Sequence, residues 1–365
     1  MTVSHADALG QLLLIELEQG AWSSSLEQWL RTQRPGGIVF SQVRPRSADD
    51  GARLLARITA VLGFLPFLAL EEDGGEASLL RSLLPPLPSP RTTARAGVPA
   101  VGRLGDLVGA GMKLVGFNTN FGPVLDLLTP ISEAILGQRA FSGDGHEVAR
   151  CAEAYVRALT SHGVLSCGKH FPGLSAAQPI ANQDWLVVGK TMADLWRQDL
   201  VPYRELIDKL PLVMLSQCSY KAYDFDVPRP AALSSGVVAG LLRVKLGYDG
   251  LAVADLRPHA VTGALADSGD AAAQSMIAGC DILVIVAGDI GKVLAGIRRA
   301  IELGRLSIER IDQSLERVRA ARSRLARPAG RVSKAAADRL TKRFEHFSEQ
   351  CQASSADLLG RHVPA

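Results

Sequence analysis

Short apolar runs alternate along this chain with stretches of helical periodicity, and that alternation limits the fold more than any other feature. The runs fall at 38–40, 66–70, 117–125, 164–167, 212–215, 251–254 and 281–286. Helical patterns occupy 48–62, 104–115, 148–162, 193–208, 235–245 and 271–279, with further helices filling 291–326 and helical patterns at 8–18 and 24–31. Strands of a few residues separated by helices of ten or more predict a parallel sheet with crossover helices. The strand count approaches eight, and polar residues stand just past the strand C-termini. The expectation is an α/β fold, a (β/α)8 TIM-type barrel over 1–326, with a doubly wound open sheet as the alternative. Pro328-Ala329-Gly330 then breaks the chain before a mildly basic amphipathic pattern at 334–347. Residues 327–365 read as a helical appendage docked on the barrel, with disorder expected after Gln352.

Composition excludes several classes of partner. The chain has 365 residues, 47% hydrophobic, enough for a large core. Its 40 basic and 37 acidic residues leave a formal charge of +3 without a dense Lys/Arg block, so no nucleic-acid partner is expected. Runs such as Leu12-Leu13-Leu14-Ile15 are too short to span a bilayer, and the first residues lack a signal-peptide layout. Five scattered cysteines without CxxC spacing read as small buried residues in a reducing compartment. A cytoplasmic protein with no membrane partner is expected. The spacing of His162, Cys167 and His170 fits no common zinc pattern, and Gly109-Ala110-Gly111 lies inside a helical pattern. No metal or cofactor is expected.

Gly163-Val164-Leu165-Ser166-Cys167-Gly168-Lys169-His170-Phe171-Pro172-Gly173 carries the sharpest local signal. An apolar run ends abruptly in a Lys-His pair, and a Pro-Gly turn follows. Lysine is almost never buried without a partner. Either Lys169 pairs with a carboxylate while His170 packs in a polar corner, or the strand delivers both side chains to a ligand. Asp255 poses a similar question, because it closes the apolar run 251–254 where a lone carboxylate is costly.

The motifs in order resemble the N-terminal barrel of glycoside hydrolase family 3, especially the single-domain β-N-acetylglucosaminidases (β-N-acetylhexosaminidases) of peptidoglycan recycling. Gly36-Gly37-Ile38-Val39-Phe40 resembles the family's first strand. Asn118-Thr119-Asn120-Phe121-Gly122-Pro123-Val124-Leu125-Asp126 is similar to Asn-x-Asn-Phe-Ala-Pro-Val-x-Asp. Gly137-Gln138-Arg139-Ala140-Phe141-Ser142-Gly143-Asp144 resembles Gly-x-Arg-Ser-Phe-Gly-x-Asp, and Gly168-Lys169-His170-Phe171-Pro172-Gly173 repeats the family's Gly-Lys-His-Phe-Pro-Gly. Leu233-Ser234 and the segment from Gly247 to Leu256 complete the series.

The resemblance implies retaining hydrolysis of terminal β-linked N-acetylhexosamine. A retaining glycosidase needs a carboxylate to attack the anomeric carbon and an acid to protonate the leaving oxygen. Asp255 matches the nucleophile, although Ala254 replaces the usual serine. Arg139, Lys169 and His170 match ligands of the sugar hydroxyls, or else form an ion-pair network with Asp126, Asp144 or Glu71. The family's Asp-Gln-Glu-Gly-Gly, whose Asp holds the sugar, becomes Glu71-Glu72-Asp73-Gly74-Gly75. The family's acid/base motif Asp-x-His is missing, because Ile180-Ala181-Asn182 stand in its place. Neither isoleucine nor asparagine donates and recovers a proton near neutrality. Asp184 and His259 are the groups that remain to substitute for it. Met214-Leu215-Ser216-Gln217 likewise replaces Met-x-x-His. The implied ligand is a small carbohydrate, a β-N-acetylhexosaminide or muropeptide fragment. Two functions stay open: a glycosidase with an atypical acid, or a barrel that binds amino sugar and has lost turnover.

Overall fold

Apolar strands buried on both faces have no alternation to follow, and in this chain they close on themselves. The structure is a computed structural model that describes residues 8–17, 22–41, 45–75, 78–180, 185–258 and 267–360, with side chains to 353. Eight parallel strands form a closed barrel: β1 (Leu13–Glu16), β2 (Gly37–Phe40), β3 (Phe67–Leu70), β4 (Thr119–Asn120), β5 (Leu165–Phe171), β6 (Leu212–Leu215), β7 (Leu251–Asp255) and β8 (Ile282–Val286). Each strand pairs with its sequence neighbours, and β8 returns to β1 with Leu13 opposite Leu283 and Ile15 opposite Ile285. Closure leaves the barrel without an edge, so the open-sheet alternative is set aside.

Helices cover the outside. They include α1 (Ser24–Gln33), α2 (Ala48–Leu62), α3 (Val98–Val115) and α4 (Gly145–Ser161). Ser23, Ser47 and Asp144 cap α1, α2 and α4 by accepting a first-turn backbone N–H. Gly63 and Gly116 end α2 and α3 with φ of +73° and +105°, a region that favours glycine. The face-to-face approach of α3 and α4 is equally sequence-driven. A Cβ on Gly105 would lie 2.9 Å from the Tyr155 carbonyl oxygen, so only glycine lets the two backbones meet.

Several sequence expectations need correction. The apolar pattern at 8–18 predicted a helix, whereas Leu9–Leu12 is a 3-10 turn and Leu13–Glu16 is β1. Leu12, Leu13, Leu14 and Ile15 are all fully buried, and a continuously buried run carries no period to separate strand from helix. The run 117–125 gives ladder pairing at Thr119–Asn120 and an isolated bridge from Val124 to Lys169. The helix expected over 193–208 is divided into Met192–Arg197 and Val201–Leu206, with Pro202 in the first turn of the second piece. The C-terminal helix α5 (Lys334–Gly360) continues past Gln352, where disorder was expected. It docks through Leu340, Phe344, Phe347 and Cys351, all buried, and Phe344 packs beside Gly111 of α3. Arg343 of α5 pairs with Asp106 of α3 at 2.6 Å.

The two ends of the barrel differ in kind. Below the N-terminal end of β8, buried Asp281 accepts from Arg243, Arg310, Arg317 and Ser314. That cluster ties outer elements to the barrel base, the face where stability is built. The other end holds the cavity.

Candidate functional site

A cavity of about 290 Å³ opens at the C-terminal mouth of the barrel. Glu71, Arg139, Lys169, His170, Met214, Gln217 and Asp255 line it, with Ile135, Leu174, Leu186 and Leu215 among the apolar groups. Five of the six residues singled out in the sequence therefore share one cavity. The sixth, Asp184, and also Asn182 and His259, lie outside the described residues.

Glu71, Lys169, His170 and Asp255 come from strand ends, and Arg139 from the 3-10 turn Gly137–Arg139 before α4. Successive residues of a regular strand face opposite ways. β5 breaks that rule: its pairing with β6 shifts register between Gly168 and Phe171, where the Lys169–His170 peptide is cis. Re-aiming side chains is what such irregularities do, and both Lys169 and His170 reach the same cavity. Gly168 just below packs closely, since a Cβ there would lie 2.8 Å from the Leu125 side-chain tip.

Lys169 is 1% exposed, and its ammonium donates to Glu71 Oε1 at 2.5 Å. Arg139 Nη1 donates to the same oxygen at 2.9 Å. Burial pushes the Glu71 carboxyl up, but the two cations outweigh it and hold the group at about 2. The Glu71 side chain remains 43% accessible, so a ligand can reach it. Beneath it, Asp73 Oδ2 stands 3.6 Å from Lys169 Nζ and 3.9 Å from Arg139 Nη1. Among the described residues neither buried Asp73 oxygen finds a hydrogen-bond partner, and burial raises this carboxyl above its ordinary range despite the cations. Glu72 is buried too. It accepts from Gly74 N, Ser78 Oγ and Leu80 N, yet burial still pushes it up to about 7.

His170 is oriented from behind. Asp126 is buried; its Oδ2 lies 2.7 Å from His170 Nδ1 and accepts the His170 backbone N–H at 3.1 Å, while Oδ1 accepts from Leu174 N at 2.9 Å. A carboxylate taking two other donors places the Nδ1 proton on the imidazole. Nε2 is then the nitrogen left for the cavity. The ion-pair network foreseen with Glu71 and Asp126 is present, but Asp144 is no part of it, since Asp144 caps α4. His162 pairs with Asp106 at 2.7 Å on the outer helices, and among the described residues no group of His, Cys, Asp and Glu is placed to hold a metal ion.

Asp255 closes β7 and is 5% exposed. Arg257, which sequence reasoning passed over, forks onto it: Nε donates to Oδ1 at 2.9 Å and Nη2 to Oδ2 at 2.5 Å. Arg257 Nη1 also reaches Glu16 Oε1 at the end of β1, at 3.0 Å. Gln217 donates to the Asp255 backbone oxygen at 2.6 Å, fixing the turn from the β6 side. Glu16 ends β1, and Asp73 and Arg257 lie two or three residues past β3 and β7, a placement that by itself does not separate them from other polar residues at strand ends. The Cys218 thiol, pushed up to about 12 by burial, keeps its proton.

Cations, a histidine and carboxylates around one cavity suit a polyhydroxylated ligand. Residues 6–321 match the model of the glycosyl hydrolase family 3 N-terminal domain. The chain is 31% identical over 329 residues to beta-hexosaminidase LpqI of Mycobacterium tuberculosis, covering 87% of this chain and 82% of that protein. It is 30% identical over 285 residues to a beta-hexosaminidase of Bordetella avium, covering 75% and 79%. The solved structure of M. tuberculosis LpqI superposes with a TM-score of 0.78 at 28% identity, covering 88% of this chain and 94% of that one. A family 3 beta-N-acetylglucosaminidase from Paenibacillus gives 0.82 at 25% identity, covering 95% and 69%. The barrel, the matched span and these relatives together place the chain in glycoside hydrolase family 3, as a member of its N-terminal-domain family.

Proposed function

We propose that this chain binds a terminal β-linked N-acetylhexosamine and hydrolyses its glycosidic bond with retention, with Asp255 as nucleophile and without an efficient acid. One observation carries the reading: Glu71, Arg139, Lys169, His170 and Asp255 line a single cavity sized for a monosaccharide. Glu71 accepts from sugar hydroxyls, while Arg139, Lys169 and His170 Nε2 supply the complementary contacts. The apolar wall of Leu174, Leu186 and Met214 suits a sugar face or an acetamido methyl. Relatives named beta-hexosaminidase support the N-acetylhexosamine assignment. A muropeptide fragment met in the cytoplasm is the natural ligand this reading favours.

In the first half-reaction Asp255 donates an electron pair to the anomeric carbon, and the leaving oxygen departs with the pair of the broken bond. Water then displaces Asp255 from that carbon. Among the described residues the two carboxyls that line the cavity cannot also serve as the acid. Asp255 is the nucleophile, and Glu71, held at about 2, carries no proton near neutrality. Asp184 is the substitute proposed from sequence. A missing acid lowers the rate by about 10²–10⁴, least for leaving groups that need no protonation.

A second reading is a catalytically inactive amino-sugar-binding protein, favoured by the Arg257 fork on both Asp255 oxygens. Rates on an aryl β-N-acetylglucosaminide and on a natural β-linked disaccharide separate the two, with N-acetylglucosamine binding measured alongside. Cleavage of the aryl substrate far above the disaccharide supports the first reading. Binding without any cleavage supports the second, and absence of binding removes the sugar site altogether.

A further inference from the structure

Arg257 sits two residues beyond β7, 9% exposed, and is held from two directions. Its guanidinium spans both oxygens of Asp255 at 2.9 and 2.5 Å, and its backbone N–H adds a third donor to Oδ1 at 3.1 Å. Its remaining terminal nitrogen is anchored on Glu16, which also accepts from Ser41 Oγ at the end of β2. The fork is therefore fixed to β1, two strands away from β7, rather than free to follow the carboxylate. Burial opposes the guanidinium charge, yet Asp255 and Glu16 keep it firmly protonated.

Such a fork acts oppositely on the two halves of a double displacement. When Asp255 attacks, its oxygen forms the bond to the anomeric carbon and the bond to the leaving oxygen breaks. The carboxylate charge vanishes into a neutral ester, and the ion pair with Arg257 is lost. When water attacks, the ester bond breaks and its electron pair returns to the carboxylate. The proton of water passes to solvent, and the charge reappears opposite Arg257. A fixed cation disfavours the first change and favours the second.

Resting on the hydrolase reading above, we propose that Arg257 is a positioning residue that makes Asp255 a reluctant nucleophile and a ready leaving group. The sugar–enzyme ester then forms slowly, breaks down quickly and does not accumulate. This separates Arg257 from the hydroxyl-binding cations Arg139 and Lys169, which face Glu71 rather than Asp255.

The test follows rapid-mixing kinetics and intact-protein mass with an aryl β-N-acetylglucosaminide. It compares wild type, Arg257→Ala, Arg257→Lys and Glu16→Gln, each checked for folding and for N-acetylglucosamine binding. Wild type is expected to show neither a burst of aryl alcohol nor a covalent adduct. Arg257→Ala is expected to show both, with the adduct on the Asp255 peptide and ester breakdown slowed by about tenfold or more. Arg257→Lys should fall between them. Glu16→Gln, which loosens the anchor without touching Asp255, should shift the same way and serves if Arg257→Ala does not fold. Adduct in wild type would overturn the proposal, as would folded, sugar-binding variants that lose turnover without adduct or keep the wild-type partition. Failure of wild type to bind N-acetylglucosamine would overturn the sugar-site reading and this proposal together.

Discussion

Lys169 and Glu71 join the end of β5 to the end of β3 across the barrel mouth, ammonium to carboxylate at 2.5 Å. Arg139 closes the same carboxylate from the loop before α4. Asp73 lies below as a second, buried counter-charge. The cations that would face a sugar are thus already neutralised by protein, so a ligand exchanges hydroxyls for interactions that exist rather than meeting bare charge.

Removing the lysine leaves that arrangement uncompensated. Lys169→Met keeps the length of the stem but strands Asp73 beside a single guanidinium. A loss of about 3–5 kcal/mol is expected, the range for breaking a buried pair. Urea unfolding of the variant at neutral pH measures it.

Acidification should act on Glu71. Its folded value, about 2, lies below the ordinary 4.5, so the stability it contributes is present above 4.5 and is lost as pH falls through 2. Glu71→Gln should flatten the acid limb of the stability–pH curve over that window. The half-exposed side chain keeps the effect modest.

Glu72 should act with the opposite sign. Its folded value of about 7 is raised above 4.5, so its contribution is full below 4.5 and lost as pH rises through 7. A fully buried carboxyl shifted this far contributes a slope on the order of 3 kcal/mol across the window. Glu72→Gln removes the slope while giving up a hydrogen bond to Gly74 N, and thermal unfolding between pH 4 and 8 reads both.

Asp126→Asn tests how His170 is held. With an amide in place of the carboxylate, one of the two backbone donors or the imidazole loses its acceptor. Hydrogen bonds to charged groups contribute about 1.5–3 kcal/mol, so weaker sugar binding by tenfold or more is expected with the barrel intact. The imidazole nitrogen shifts of His170 should show loss of the fixed Nδ1–H form.

The tail helix should be integral to the barrel's stability. Phe344 is 1% exposed against α3, and Phe344→Ala is expected to cost about 3–5 kcal/mol. Denaturant unfolding checks it, and a silent substitution would show that the helix docks loosely.

What the sequence disclosed follows from the kind of signal each element carries. The barrel was legible because its strands are short, apolar and regularly spaced, and because Asp255, Lys169 and His170 mark strand ends. β1 was not, since Leu12 to Ile15 are buried on every side and have no polar face to set a period. Arg257 was missed for a different reason. A lone arginine in a turn carries no pattern, and its importance lies in pointing back two residues while reaching β1. Asp73 was passed over because nothing local distinguishes a carboxylate facing solvent from one sealed beneath Lys169 and Arg139.

In the proposed reaction Asp255 attacks a sugar held in the mouth cavity. Turnover of an aryl β-N-acetylglucosaminide by wild type and by Asp255→Asn, with the anomer of the first product read by NMR, tests it most directly. Wild type is expected to cleave measurably and release the β-anomer, and Asp255→Asn to lose at least about 10²-fold while N-acetylglucosamine binding stays in place. Cleavage that survives the substitution, or a first product of α configuration, would contradict that reaction.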